Sequence, residues 1–197
     1  MSKELQESWE RFLNPNVLRT NLITASIYIA TFEILKESII GRIRDFFTTG
    51  WDETGIQTDA KYQSEVLSKN RSPVYASFQW LKEQGAIGDN DISLFDQAKK
   101  CRNTIVHETV SVLEGGLPSG WPDRLRDMIS LLDKIEKWWI INVEIPTDLD
   151  FAGKEIDESD VLPGRVAGLR MMLDIALGSE EESRRYFNEF IKQFHGS

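Results

Sequence analysis

Residues 17–47 constrain the fold most strongly, because their apolar side chains recur every three or four positions over some thirty residues. This spacing is the period of an α-helix, and a helix of that length has to be covered by other helices. The uncharged run within it, residues 20–32, is too short to cross a bilayer. We therefore predict a buried core helix. Its apolar positions are Leu18, Leu22, Ile23, Ile29, Ala30, Ile34, Leu35, Ile39, Ile40, Ile43 and Phe47.

Further helices are indicated by their start and stop residues. Ser72-Pro73 is typical of a helix start and Gly85 of a helix end, while Pro122 opens and Pro146 closes another helix. A helix that begins near Asn90 or Asp91 runs past residue 106. The remaining predicted helices cover residues 5–13, 60–68, 165–177 and 180–194, the last with Ser179 and Glu182 spaced as a capping box.

No segment shows a convincing strand pattern, an internal repeat or low complexity. The predicted fold class is therefore all-α, a helical bundle with a C-terminal helical extension. We assign residues 1–145 to the bundle. Residues 146–197 hold an acidic loop or lid at 148–160 and the C-terminal helices, which we expect to pack on the same domain.

Composition limits the classes of function. Cys101 is the only cysteine, and no Cys/His cluster is present, so we expect neither a disulfide nor a metal site, and no cofactor. The chain opens without an apolar signal segment, which favours a cytoplasmic protein that does not bind a membrane. A net charge of -9 argues against a broad nucleic-acid surface, but Lys99, Lys100 and Arg102 form a local basic cluster.

The helix after residue 90 carries the residues most suited to chemistry. The chain has two histidines, and His195 lies next to the C-terminus, which leaves His107 as the candidate. Asn103 and His107 are four residues apart and share a helix face, flanked by Arg102, while Cys101, Ile105 and Val106 are expected to turn towards the core.

These three polar side chains suit the cleavage of RNA without a metal. A guanidinium and a carboxamide can bind a phosphate, and an imidazole can donate or accept a proton at neutral pH. Attack by a ribose 2'-hydroxyl needs a base, an acid and a cation for the transition state. One imidazole cannot serve both sides of the phosphorus, so a two-fold dimer would supply the second.

The stretch Arg102-Asn103-Thr104-Ile105-Val106-His107 resembles the Arg-(four to six residues)-His motif of the HEPN superfamily, in which a polar residue typically follows the arginine. The resemblance covers residues 17–143 in outline and implies a bundle of four or five core helices that dimerises. It also implies a metal-independent endoribonuclease, acting as a toxin or antiviral-defence effector with an antitoxin or defence partner protein. Residues from 148 onwards lie outside the match.

Other readings stay open. Arg102 could pair with an acidic neighbour and His107 could be a plain surface residue. Glu33 could orient Arg102 or His107, or be an ordinary helix-surface position, and Lys99 and Lys100 could hold the RNA backbone or form a wet face. The same helices could make a non-catalytic HEPN-like scaffold that binds a protein or nucleotide, or an unrelated helical regulator or adaptor.

Overall fold

The computed structural model describes residues 3–151 and 154–194, and this part of the chain is an all-α bundle with one small hairpin. The helices are α1 Lys3–Leu13, α2 Pro15–Phe46, α3 Pro73–Glu83, α4 Asp89–His107, α5 Thr109–Gly115, α6 Trp121–Trp139, α7 Ile145–Thr147, α8 Gly164–Leu177 and α9 Glu180–Phe194. The hairpin strands are β1 Thr48–Asp52 and β2 Gly55–Thr58. A π-helical turn, Tyr62–Val66, occupies the segment predicted as a short helix at 60–68. No helix of the described residues is long and apolar enough to cross a membrane.

Helix α2 is the central element and contacts α1, α3, α4, α5, α6 and α8. It starts where the sequence fixes it: the Asn14 carboxamide oxygen accepts the N–H of Asn16 at 3.0 Å, and Pro15 occupies the first helical position. The buried side chains of its inner face are Tyr28, Phe32, Leu35, Ile39 and Ile43, spaced by three or four residues.

The predicted apolar stripe of this helix extends too far towards its start. Leu22 and Ile23 are exposed, although the pattern placed them with the core. Near this end α2 is flanked by α5, where the Asn21 amide donates to the carbonyl of Leu113 at 2.9 Å. The short helices here leave part of the circumference of α2 uncovered, so that apolar periodicity alone overestimates burial.

The sequence predicts no strands, and this prediction is wrong for residues 48–58. β1 and β2 pair antiparallel, and the turn between them is held by the Asp52 carboxylate, which accepts the backbone N–H of Thr54 at 2.8 Å. Gly55 has a φ of 116°, a conformation that favours glycine. Because the strands are largely exposed on both faces, they lack the apolar–polar alternation that reveals a half-buried strand.

The core of the bundle fixes the rotation of α4. Phe95 stacks on Phe32 of α2 with ring centroids 5.2 Å apart and meets Phe78 of α3 edge-on at 4.9 Å. Cys101 and Ile105 are buried on the same side, as predicted, whereas Val106 is exposed. The prediction that Val106 turns towards the core is wrong, because one further residue rotates the side chain by about 100° around the helix.

A buried carboxylate joins α8 to the bundle. Glu136 of α6 has a side chain only 1% exposed and accepts a hydrogen bond from the Ser38 hydroxyl at 2.6 Å. It also pairs with Arg42 of α2, and the Arg165 Nε at the start of α8 lies 3.6 Å from it. This network therefore links three helices through one charge.

Helix α9 follows α8 through the predicted capping box, in which the Ser179 N–H donates to Glu182 at 2.8 Å.

Candidate functional site

The candidate site lies on the C-terminal half of α4. This helix begins at Asp89, close to the predicted start near Asn90 or Asp91. Asp91 is its third residue, and its carboxylate accepts the N–H of Gly88 at 2.7 Å. Lys134 of α6 pairs with the same carboxylate at 2.6 Å, which ties the start of α4 to α6. Helix α4 ends at His107, so all three motif residues lie within its last two turns.

Arg102 is anchored against α2. Its Nη2 donates to the Glu33 carboxylate at 2.9 Å, and its guanidinium carbon lies 5.8 Å from the centroid of the Phe32 ring. The Nη1 donates at 3.5 Å to the carboxamide oxygen of Asn103. The arginine side chain is 28% exposed, so part of the guanidinium still reaches solvent. These contacts fix the plane of the cation before any ligand arrives.

The Glu33 partner is ionised at neutral pH. Burial raises the pKa of this carboxyl. The hydrogen bonds and charges of Lys36 and Arg102 lower it by more than burial raises it, so the pKa of Glu33 lies below its usual value. Lys36 lies 3.1 Å from the second carboxylate oxygen. Glu33 therefore bridges two cations, and the structure shows the contact with Arg102 that the sequence left as one alternative.

Asn103 and His107 differ in their surroundings. Because the Asn103 carboxamide oxygen faces Arg102, its N–H₂ group is left to donate elsewhere. His107 is exposed at the end of α4 and makes no hydrogen bond or ion pair within the described residues. In an ideal helix Arg102 and His107 are about 140° apart in rotation and about 7.5 Å apart along the axis. One chain thus brings Arg102, Asn103 and Glu33 together. His107 lies one turn from Asn103 on the same face of α4, but it is turned away from Arg102. His195 lies outside the described residues.

The two predicted lysines lie on different faces of α4. The Lys99 ammonium lies 4.9 Å from the centroid of the Tyr75 ring and donates to its hydroxyl at 3.3 Å. Tyr75 in turn donates to Asp96, and burial together with that hydrogen bond raises the pKa of Tyr75 to about 12. Lys100 is exposed and lines a separate pocket between α4 and the start of α6. The two lysines therefore do not form one basic patch.

Three side chains beside the site were not found from the sequence: Phe32, Tyr75 and Arg124. Phe32 was not among the predicted apolar positions of α2, and no pattern marked it as a neighbour of Arg102. Tyr75 and Arg124 are separated by 20 residues or more from the α4 residues that they approach, so no local signal links them. The packing of the helices against one another brings them into place.

Within residues 3–151 and 154–194, no three His, Cys, Asp or Glu side chains are grouped as metal ligands. Comparison with known proteins finds no family model, no curated protein and no solved structure that matches this chain. The α4 geometry is thus the main basis for assigning a function.

Proposed function

We propose that this protein is a metal-independent endoribonuclease of HEPN type, with Arg102, Asn103 and His107 as its site. The observation that carries the proposal is the arrangement on α4: a preoriented guanidinium, a carboxamide with free donors and an exposed imidazole, all within two turns. The resemblance to the HEPN motif, in an all-α bundle around a long helix, supports it.

In the proposed reaction, a base removes the proton of a ribose 2'-hydroxyl, whose oxygen forms a bond to the adjacent phosphorus. The bond from phosphorus to the 5'-oxygen breaks, and an acid protonates that oxygen. The products are a 2',3'-cyclic phosphate and a 5'-hydroxyl. Arg102 stabilises the negative charge of the transition state, and the Asn103 amide donates to a phosphate oxygen.

Two copies of the chain would complete this site. A single protomer offers one histidine in the site, whereas the reaction uses a base and an acid on opposite sides of the phosphorus. Val106 and Val110, on either side of His107 in the chain, are 38% and 66% exposed. Such apolar side chains favour burial against a second copy related by a two-fold axis.

On the resemblance to the HEPN superfamily, we propose that the enzyme acts as a toxin or antiviral-defence effector under the control of a partner protein.

The test of this reaction uses RNA and EDTA. We expect the native protein to cut RNA with EDTA present and to fail at a position where a single ribose is replaced by 2'-deoxyribose, because that sugar lacks the nucleophile. The cut products are separated by electrophoresis and their ends identified by mass. Cleavage at the deoxyribose position, or products with a 5'-phosphate, would contradict the mechanism.

A second candidate function is a non-catalytic scaffold that dimerises or binds a protein or nucleotide. Two observations favour it: the net charge of -9, and the ion pair that partly neutralises Arg102. This candidate requires that the native protein leaves RNA intact, while analytical ultracentrifugation still shows a dimer. A dimer that also cuts RNA in EDTA excludes the non-catalytic alternative.

A further inference from the structure

A pocket of about 360 Å³ lies between α4 and the segment that leads into α6. It is separate from the contacts of Arg102, because its α4 residues occupy another face of that helix. Two cations reach it, Lys100 from α4 and Arg124 from α6, together with the polar side chains of Gln97 and Ser119. All four side chains carry hydrogen-bond donors, and two of them add positive charge.

Arg124 is held in place by its own loop. Its Nη1 donates to the backbone carbonyl of Ser119 at 2.8 Å, so the guanidinium folds back over Gly120. Gly120 has a φ of 75°, and a Cβ at this position would lie only 2.5 Å from that nitrogen. The glycine therefore makes room for the arginine as well as for the turn.

Neither cation is neutralised within the described residues. Lys100 and Arg124 form no ion pair with a carboxylate there, and Asp127, one turn further along α6, makes no hydrogen bond or ion pair with Arg124. By contrast, Arg102, Lys36 and Lys134 each pair with a carboxylate. In a chain with a net charge of -9, two unpaired cations that share one pocket mark a site for an anion.

The pocket lies close to the proposed reaction site. Lys100 and His107 are seven residues apart on α4, which places them on the same face with a separation of about 10.5 Å along the axis. Asn103 lies between them. An RNA strand whose reacting phosphate is at Asn103 and His107 would pass Lys100 with a neighbouring part of its backbone.

We propose that Lys100, Arg124, Ser119 and Gln97 bind a non-reacting phosphodiester of the RNA strand. This inference rests on the proposed function for the identity of the strand, and it explains how an acidic protein holds RNA. The ammonium supplies a compact charge and the guanidinium directional donors, the usual combination for phosphate. Binding at this site does not depend on the base sequence of the RNA, because the contacts are to its backbone and not to its bases.

The experiment measures binding of a short single-stranded 2'-O-methyl RNA with hydroxyl ends, which cannot be cleaved by 2'-hydroxyl attack. Affinity is followed by fluorescence anisotropy over a series of KCl concentrations. We expect the double variant Lys100→Gln/Arg124→Gln to bind about tenfold more weakly than the native protein. The slope of log affinity against log salt should fall by roughly 0.7, the value for one phosphate of a single strand.

A matched control separates the pocket from net charge. The double variant Lys82→Gln/Arg126→Gln removes two exposed cations elsewhere and should bind like the native protein. Equal affinity of native protein and pocket variant, or an equal loss in the control, overturns the proposal. A loss seen only with a 5'-phosphorylated RNA overturns the assignment to an internal phosphodiester. This binding experiment involves no cleavage. If the native protein cuts no RNA, the proposed function is refuted, and the binding measurements still test the pocket separately.

Discussion

Replacement of Arg102 by alanine is expected to lower the rate constant of RNA cleavage by about 100- to 1,000-fold. The guanidinium is oriented before substrate binds, by Glu33 at 2.9 Å and by Asn103. Loss of a single preorganised donor to a developing negative charge has an effect of this size. Arg102→Lys should recover part of the rate, because it keeps the charge but not the planar donors.

The control for this variant is Arg44→Ala, since Arg44 lies on α2, pairs with Glu37 and is 36% exposed, close to the 28% of Arg102. It should cut RNA at the native rate. Both variants should unfold within about 1 kcal/mol of the native protein, because partly exposed ion pairs contribute little to stability. A native rate for Arg102→Ala would remove this residue from the mechanism.

Glu136→Ala is expected to lower the free energy of unfolding by about 3–5 kcal/mol, a large part of the stability of a domain this size. The variant leaves the Ser38 hydroxyl without its acceptor and Arg42 without its buried partner. Burial lowers the pKa of Arg42. The hydrogen bond to Glu136 and the negative charge of that carboxylate raise the pKa by more than burial lowers it, so the arginine stays charged. Its remaining carboxylate partner is Glu144.

Glu144→Ala provides the matched comparison, because Glu144 binds the same arginine at 2.6 Å but is 48% exposed. Its replacement should change the free energy of unfolding by less than about 1 kcal/mol. Both values come from urea denaturation at neutral pH. If the two variants lose equal stability, the buried position of Glu136 is not what makes its network important.

The helices of this fold are largely predictable because their signals are local. Pro73 and Gly85 mark the boundaries of α3, and the Ser179–Glu182 capping box forms as its spacing predicts. The apolar period of α2 identifies Leu35, Ile39, Ile43 and Phe47, which are buried. Such patterns depend on a few neighbouring residues and on the period of the helix, so the sequence alone is enough to find them.

The features that the sequence did not predict depend on contacts between distant segments. Glu136 looks like an ordinary helix glutamate, although its position four residues after Leu132 places it on the apolar face of α6. The exposure of Leu22 depends on how much of α2 the short helices cover. In the candidate site, Glu33 and Arg102 are 69 residues apart in the chain. Their contact depends on how α2 and α4 pack, so the sequence left it as one alternative.

The most direct test of the central claim compares RNA cleavage by the native protein and by His107→Ala with EDTA present. His107 is exposed and makes no hydrogen bond or ion pair within the described residues, so its loss should leave the fold and any dimer unchanged. We predict that the native protein produces 2',3'-cyclic phosphate ends and that the variant is at least about 100-fold slower, as expected for loss of a general acid or base. Equal cleavage by the two proteins would contradict the account.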